Sequence, residues 1–310
     1  MADALWNNEC KVRNWADMDY NILVRIFMTL NFLDVILVSF VCKSWNAACC
    51  NPILWEKLDL TLLKFNTCNT PRRLTTWSDN KSSERLLKVL KSALRLSCGN
   101  LSSLVFHFSL FINDDHLICA AERTPRLKQL VLPTWNLITL TGFETAVRNW
   151  VGLESFVVAY IDFPFQIMKL VGSYCNISQL KVMCPSKFDV VCARAIVAYT
   201  PKLKILSLQC TTVHKTALVF IMNEMKDLEI LNVSHCTFID DSERPRYSYG
   251  FEQLGESIVA QVSRLKEFLV CPRQHCDMCA CGVVDGEEAS IWHRFEKEIW
   301  RKDKVSSLSY

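Results

Sequence analysis

The sequence repeats one short phrase, Leu-x-x-Leu-x-Leu or a close apolar variant, six times between residues 101 and 233. At spacings of 24 to 26 residues, the copies begin at Leu101, Leu127, Leu153, Ile177, Leu203 and Leu228. One copy says little in a chain that is 50% apolar, but chance does not produce six copies at so regular a spacing. The period predicts a solenoid, in which neighbouring units stack because none can bury its own apolar faces.

Each repeat unit combines two kinds of apolar pattern. The first, fourth and sixth residues of the phrase are apolar, which is typical of a short strand that buries alternate side chains. Apolar residues then recur at helical spacing, as in 117–121, 167–171 and 190–197. This order and period are those of a leucine-rich repeat, so we predict an α/β fold: a curved solenoid with parallel strands on its concave side and helices on its convex side. An opening strand is expected within 55–60 and a late one within 265–270.

The first part of the chain follows a different pattern. Helical spacing is shared by Ile22, Leu23, Ile26, Phe27 and Leu30. A second helix is predicted at 35–41 with Asp34 as its cap, and a third begins at Ser44. Three helices this short make a marginal core, so this module is expected to share a partner's surface.

The residues of this module carry a family resemblance. The segments concerned are Trp15-x-x-Met18, Ile22-Leu23-x-x-Ile26-Phe27, Val41-Cys42-Lys43-x-Trp45 and Pro52-x-Leu54-Trp55. Together they resemble an F-box, with Met18-Asp19 where many F-boxes have Leu-Pro. With the repeats included, the chain resembles the F-box/leucine-rich-repeat proteins, and Trp15 together with 298–303 most resembles their plant members.

The resemblance implies a substrate receptor of a Skp–cullin–F-box ubiquitin ligase. In such a ligase the F-box binds a Skp-type adaptor, the adaptor binds cullin, and the repeats hold the protein to be ubiquitinated. The adaptor contacts that the resemblance implies are Met18, Ile22, Leu23, Ile26, Leu33, Val41, Trp45 and Trp55, each of which could instead pack in the core. The alternative function is an interaction scaffold without ubiquitin transfer.

The concave side of the predicted solenoid is the expected surface for a protein substrate. Strand alternation places the third, fifth and seventh residues of each phrase on this side. The candidate substrate-binding residues are Val105, His107, Gln129, Val131, Val157, Gln179, Lys181, Met183, Ile205, Gln209, Ile230 and Asn232. The face carries little charge, which argues against recognition of phosphopeptides by clustered arginines.

These patterns divide the chain into five parts. We predict a tail at 1–14, the F-box at 15–57, a linker with a capping repeat at 58–100, the leucine-rich repeats at 101–271 and a cysteine-containing tail at 272–310.

Charge and hydropathy exclude several other classes of partner. The 35 basic and 32 acidic residues leave a net charge of +3 without a Lys/Arg stripe, which argues against nucleic acid. No apolar run approaches the roughly 18 residues of a membrane span, and the first 20 residues lack the apolar core of a secretory signal. The expected location is the cytoplasm, the nucleus or both. There the 16 cysteines should be thiols, most of them small buried apolar residues.

A cysteine cluster within residues 271–281 is the main candidate in this sequence for a metal-binding or redox-active site. Cys276-x-x-Cys279 has the spacing of two zinc ligands, and the fuller set would be His275, Cys276, Cys279 and Cys281, with Cys271 as an alternative. Zinc sites usually combine two such ligand pairs, and the second pair is missing from this sequence, so we expect no bound metal. The alternatives are a structural zinc site and a redox-responsive unit. The sequence shows none of the phosphate-binding, hydrolase or metalloprotease motifs, so we expect no cofactor and no catalytic residues.

Overall fold

The N-terminal part of the chain forms a module of three short helices. The computed structural model describes residues 15–63, 80–107, 110, 112–133, 135, 137–158, 163–183, 187–240, 248–249, 261–271 and 301–310. The helices are α1 (Tyr20–Phe27), α2 (Phe32–Val38) and α3 (Lys43–Cys49), flanked by short 3-10 helices at Trp15–Asp17 and Pro52–Leu54. The three predicted helices are therefore present.

The pair Met18-Asp19, where many F-boxes have Leu-Pro, provides an N-cap for α1. The Asp19 carboxylate accepts hydrogen bonds from the backbone N–H groups of Asn21 and Ile22, at 2.9 and 3.3 Å. Such a cap satisfies donors that the first turn of a helix cannot pair internally. The departure from the usual pair thus leaves a well-formed helix entry.

The two caps that were predicted for this module, Asp34 and Ser44, were wrong. Asn31, rather than Asp34, caps α2: its side-chain oxygen accepts from the backbone N–H groups of Leu33 and Asp34. The helix begins three residues before the uniformly apolar run that suggested its start. Ser44 lies inside α3, and its hydroxyl donates to the carbonyl of Ala16 at 2.8 Å.

The repeats form one parallel eight-stranded sheet. In spatial order its strands are β1 (Lys57–Asp59), β2 (Ser103–Val105), β3 (Gln129–Leu132), β4 (Ser155–Val158), β5 (Gln179–Val182), β7 (Ile205–Ser207), β9 (Ile230–Asn232) and β12 (Glu267–Leu269). Each of the six phrases supplies one strand, and the expected opening and late strands are the two edges. The predicted solenoid of parallel strands and helices is confirmed.

The register of the sheet separates its two faces. The second residues of the eight strands are aligned and lie on the core side: Leu58, Leu104, Leu130, Phe156, Leu180, Leu206, Leu231 and Phe268. Neighbouring helices pack in chain order on this side: α4 (Asn80–Ser97), α5 (Asp114–Arg123), α6 (Leu140–Val147), α7 (Pro164–Tyr174), α8 (Val190–Tyr199) and α9 (Lys215–Glu224). Among the described helices, none is both long and apolar enough to cross a membrane. The residues before and after each core position face the opposite, concave side.

A second, smaller sheet lies in the later repeats. It consists of β6 (Lys187–Phe188), β8 (Thr212–His214), β10 (Thr237–Ile239) and β11 (Ser248–Tyr249). The sequence analysis missed these strands because two or three residues are too short to show an alternating pattern. Beside them the buried Cys236 thiol donates to the Leu208 carbonyl of the preceding repeat at 2.9 Å. Cys236 is the ninth residue of the repeat that begins at Leu228, and this bond connects it to the preceding repeat.

The helical module and the solenoid share one continuous core. Helix α2 packs against α4, and Trp55 is buried between the module and the first strand, with its indole N–H donating to the Cys49 carbonyl at 2.6 Å. Leu23 and Phe27 belong to the same buried cluster as Leu58. The predicted boundary at residue 57 therefore falls within β1 rather than in a linker.

Replacing Gly172 in α7 by alanine is expected to lower the free energy of unfolding by about 1–3 kcal/mol, because an alanine Cβ would lie 1.9 Å from the carbonyl oxygen of Tyr199 in α8. The urea midpoint measures this loss. Gly152→Ala is the control, since nothing lies within 4 Å of its Cβ position, and its effect should stay within about 0.5 kcal/mol. Equal midpoints for the two variants would contradict the close helix contact.

Candidate functional site

Apolar side chains are exposed on the helical module. Ile22 and Ile26 lie one turn apart on α1, and 51% and 43% of their surfaces are exposed. Val41, which follows α2, is 61% exposed. These three predicted adaptor contacts are thus available to a partner.

The structure adds exposed apolar side chains that the sequence analysis did not select. They are Trp15, Tyr20, Met28, Leu37, Phe40 and Ile53. Leu37 and Phe40 lie within four residues of Val41 and are about two-thirds exposed. A module of about 40 residues that exposes this much apolar surface has the character of a docking site.

The remaining predicted adaptor contacts contribute to the core. Leu23 and Trp55 are each 1% exposed, so the prediction that they contact an adaptor is corrected to a packing role. Leu23 shares α1 with Ile22 but lies on its inner face. The others, Met18, Leu33 and Trp45, are half-buried against the same core. Trp45 stacks edge-on against Phe27, with ring centroids 5.5 Å apart.

The predicted substrate-binding residues occur where the register places them, on the concave side of the sheet. The row that follows the core row runs through Asp59, Val105, Val131, Val157, Lys181, Ser207, Asn232 and Leu269. The row before it contains Gln129, Gln179, Ile205 and Ile230, and the residues beyond the strands include His107, Met183 and Gln209. The sheet thus brings the twelve candidates together on one face.

This face is covered by another part of the chain. Residues 301–310, the covering segment, lie across it, which the sequence analysis did not anticipate. Val305 and Leu308 of the segment pack against three valines of consecutive strands, Val105, Val131 and Val157. Leu308 is fully buried, and the three valines are at most 2% exposed.

Asp303 of the covering segment fills a polar slot beside the valines. One carboxylate oxygen lies 3.1 Å from the ammonium nitrogen of Lys181 and accepts from the Ser207 hydroxyl at 2.6 Å. The other oxygen accepts from the Asn232 amide at 2.7 Å and from the Val305 backbone N–H at 2.8 Å. Both charged side chains are at most 1% exposed, and these donors compensate the carboxylate for the water it has lost.

Glutamine side chains of the sheet bind the backbone of the covering segment. The Gln209 amide N–H donates to the Lys302 carbonyl at 3.0 Å, and its oxygen accepts from the Lys304 N–H at 3.1 Å. The Gln129 amide donates to the Ser307 carbonyl at 3.1 Å. The face therefore contacts both the side chains and the main chain of the segment.

The covering segment reaches both edges of the sheet. At one edge, the Arg301 guanidinium lies 2.7 Å from the Asp59 carboxylate and donates to the Thr61 hydroxyl at 2.9 Å. At the other edge, the Lys304 ammonium donates to the carbonyl of Val270, just after β12, at 3.1 Å. The segment thus spans the sheet from its first strand to its last.

Comparison with known proteins identifies the family of this chain. The F-box-like family model matches residues 20–61, which contain all three helices of the module and β1. The F-box/LRR-repeat protein At3g48880 of Arabidopsis thaliana is 35% identical over 302 residues, covering 96% of this chain and 97% of that protein. The chain belongs to the F-box/leucine-rich-repeat family. The chain resembles the plant members of this family. Its F-box implies, in general terms, that it binds a Skp-type adaptor.

Two further relatives of this F-box/leucine-rich-repeat protein also come from Arabidopsis thaliana. Putative F-box protein At4g11580 is 28% identical and covers 97% of each chain. F-box protein SKIP19 is 27% identical over 228 residues, covering 72% of this chain and 70% of that protein. Proteins of this family generally act as adaptors rather than as enzymes.

In this F-box/leucine-rich-repeat protein, the charge of Lys181 beneath the covering segment is stabilised by the carboxylate of Asp303. Burial lowers the pKa of Lys181, and the adjacent Asp303 carboxylate opposes that shift by stabilising the ammonium. An ammonium at this position therefore relies on a carboxylate partner as long as the face is covered.

Two thiols and the candidate metal ligands bear on the chemistry that the cysteines of this chain could perform. Burial raises the pKa of Cys49 and of Cys175 to about 12, so both thiols stay neutral. Within the described ranges, no group of three or more His, Cys, Asp or Glu residues is placed to hold a metal ion. The alternative zinc ligands, His275, Cys276, Cys279 and Cys281, lie outside the described residues.

Proposed function

We propose that this chain is the substrate-recognition subunit of a Skp–cullin–F-box ubiquitin ligase. The observation that carries the proposal is an exposed apolar surface on the F-box module, which shares its core with the repeat sheet. The module would dock the adaptor through Ile22, Ile26 and Val41, and the repeats would hold the protein to be ubiquitinated.

The chain's contribution to ubiquitin transfer would be proximity rather than chemistry. A substrate bound to the repeats shares one complex with the conjugating enzyme that the cullin recruits. Its lysines therefore react at a greatly raised effective concentration. This role needs no nucleophile or base in the receptor, and we assign no catalytic residue and no cofactor to it.

Proteins captured on the chain from plant cells are expected to accumulate when the F-box cannot deliver them. A chain with Ile22→Asp and Ile26→Asp would keep its repeats, so its bound substrates would escape transfer and rise several-fold in quantitative mass spectrometry. The wild-type chain, captured in the same way with and without proteasome inhibition, is the reference.

The alternative function, an interaction scaffold without ubiquitin transfer, makes the opposite forecast. Its strongest bound partner would keep the same cellular abundance when the chain is depleted. That outcome, together with equal capture by the wild-type and F-box-variant chains, would rule out the receptor role.

A further inference from the structure

The contacts between the covering segment and the concave face indicate what kind of ligand this face can bind. A carboxylate fits the slot formed by Lys181, Ser207 and Asn232, since each of them contributes a donor to Asp303. Aliphatic side chains two and five positions later fit the valine patch, as Val305 and Leu308 do. Ser306 between them is exposed, so the face selects the residues at only some positions of the segment.

The main-chain contacts make the same face suitable for peptides in general. Gln209 both donates to and accepts from the backbone of the segment, and Gln129 donates to it as well. Backbone contacts of this kind supply affinity that does not depend on sequence, while pockets for particular side chains supply the specificity. A carboxylate slot, an aliphatic patch and backbone-binding amides together form a peptide-binding site.

The segment occupies this site without becoming part of the sheet. In the described part of the chain, residues 301–310 pair with no strand, and the segment closes on itself through the Tyr310 N–H, which donates to the Arg301 carbonyl at 2.9 Å. Its departure would return Lys181 and Asp303 to water, so the attraction between them is largely offset by regained hydration. What holds the segment is mainly the apolar side chains of Val305, Leu308 and Tyr310, the ion pair of Arg301 with Asp59 at the edge of the sheet, and a set of exchangeable hydrogen bonds.

The fit of the segment is also incomplete. Gln179 Oε1 and the Ser234 hydroxyl are buried on the same face, and neither has a hydrogen-bond partner among the described residues. Buried polar groups of this kind weaken the complex that leaves them unpaired. A ligand that reached both groups would bind this face better than the covering segment does.

We propose that the concave face is a binding site for a peptide segment with an acidic residue followed two and five positions later by aliphatic residues. Residues 301–310 are its built-in occupant, and a substrate must displace them. The inference takes the role of the face from the proposed function, but it concerns the repeats alone and is tested without an adaptor.

The test uses the full chain and a labelled peptide that corresponds to residues 301–310. In the variant Val305→Asp, Leu308→Asp the segment should detach, because two charges cannot enter the valine patch. Fluorescence anisotropy should then show the peptide binding this variant at least about 10-fold more tightly than the wild-type chain, whose own segment competes at an effective concentration of the order of millimolar. An Asp303→Asn peptide should bind at least about 10-fold more weakly than the parent peptide, and a Ser306→Ala peptide should match the parent.

Two results would overturn the proposal. One is a folded double variant, judged by circular dichroism, that binds the peptide no better than the wild-type chain does. The other comes from hydrogen exchange on the wild-type chain, which decides the matter even if the variant fails to fold. The Leu308 and Tyr310 amides should exchange much faster than those of β5 and β7, and equal protection would make the segment a permanent part of the fold. Adaptor binding is measured on the same preparations, and its failure would count against the ligase role and not against the peptide site.

Discussion

Replacing Ile22 and Ile26 together with aspartate is expected to weaken binding of a Skp-type adaptor by at least about 100-fold, because both charges would be desolvated in an apolar interface. The fold should be retained, since 51% and 43% of the two side chains are exposed to solvent in the free chain. Isothermal titration with the purified adaptor measures the loss, and circular dichroism verifies the fold.

Two matched variants make this result specific. Val151→Asp places the same charge on a side chain that is 68% exposed in the repeats, and it should bind the adaptor as the wild-type chain does. Leu23→Asp changes the residue next to Ile22 but places the charge in the core, so it should unfold the module. A folded Ile22→Asp, Ile26→Asp variant with wild-type affinity would contradict the assignment of this helix face to the adaptor.

Replacing Trp55 with alanine is expected to lower the free energy of unfolding by about 3–5 kcal/mol, which is typical of a large aromatic side chain removed from a core. The side chain is 1% exposed, and the hydrogen bond from its indole to the Cys49 carbonyl would be lost as well. Urea denaturation followed by circular dichroism gives the size of the loss. The module and the first repeats should lose stability together, because they share this core.

Trp15→Ala is the control for this prediction. Trp15 is 62% exposed, and the hydrogen bond that it accepts from the Trp45 indole goes to its backbone carbonyl, which alanine keeps. Its replacement should change the free energy of unfolding by less than about 0.5 kcal/mol. Equal losses in the two variants would contradict the core position of Trp55.

The strands and their register could be predicted because their pattern is local and repeated. Leu130 and Val131 are neighbours in the sequence, and strand alternation is enough to assign one to the core and the other to the concave side. The same rule, applied at a constant period, recovers the concave row of the later strands, including Lys181 and Asn232.

The two faces of α1 could not be told apart from the sequence. Ile22 and Leu23 are adjacent and similarly apolar, but one is exposed and the other buried. A helix that packs on one side and docks on the other has apolar residues on both sides, so periodicity no longer marks its core face. Only the packing of α1 against α3 and the rest of the core shows that Leu23 is the buried residue and Ile22 the exposed one.

The covering segment could not be foreseen for a different reason. Asp303 contacts Asn232, 71 residues away, and Arg301 contacts Asp59, 242 residues away. No pattern within 301–310 indicates such partners, because Val305 and Leu308 are two apolar residues in a mostly polar stretch. The burial of Lys181 follows from this tertiary contact and has no local signature.

In the proposed ligase, the shared core around Trp55 would determine which lysines of a bound substrate can be reached. Strands of a sheet lie about 4.8 Å apart, so the slot at Lys181 on β5, four strands from β1, lies about 19 Å from the adaptor end along the sheet. Because the sheet and the helical module share one core, a bound substrate would be held at a fixed distance from the F-box and in a fixed orientation. Which of its lysines receives ubiquitin would then depend on where they lie relative to this rigid arm rather than on the residues that flank them.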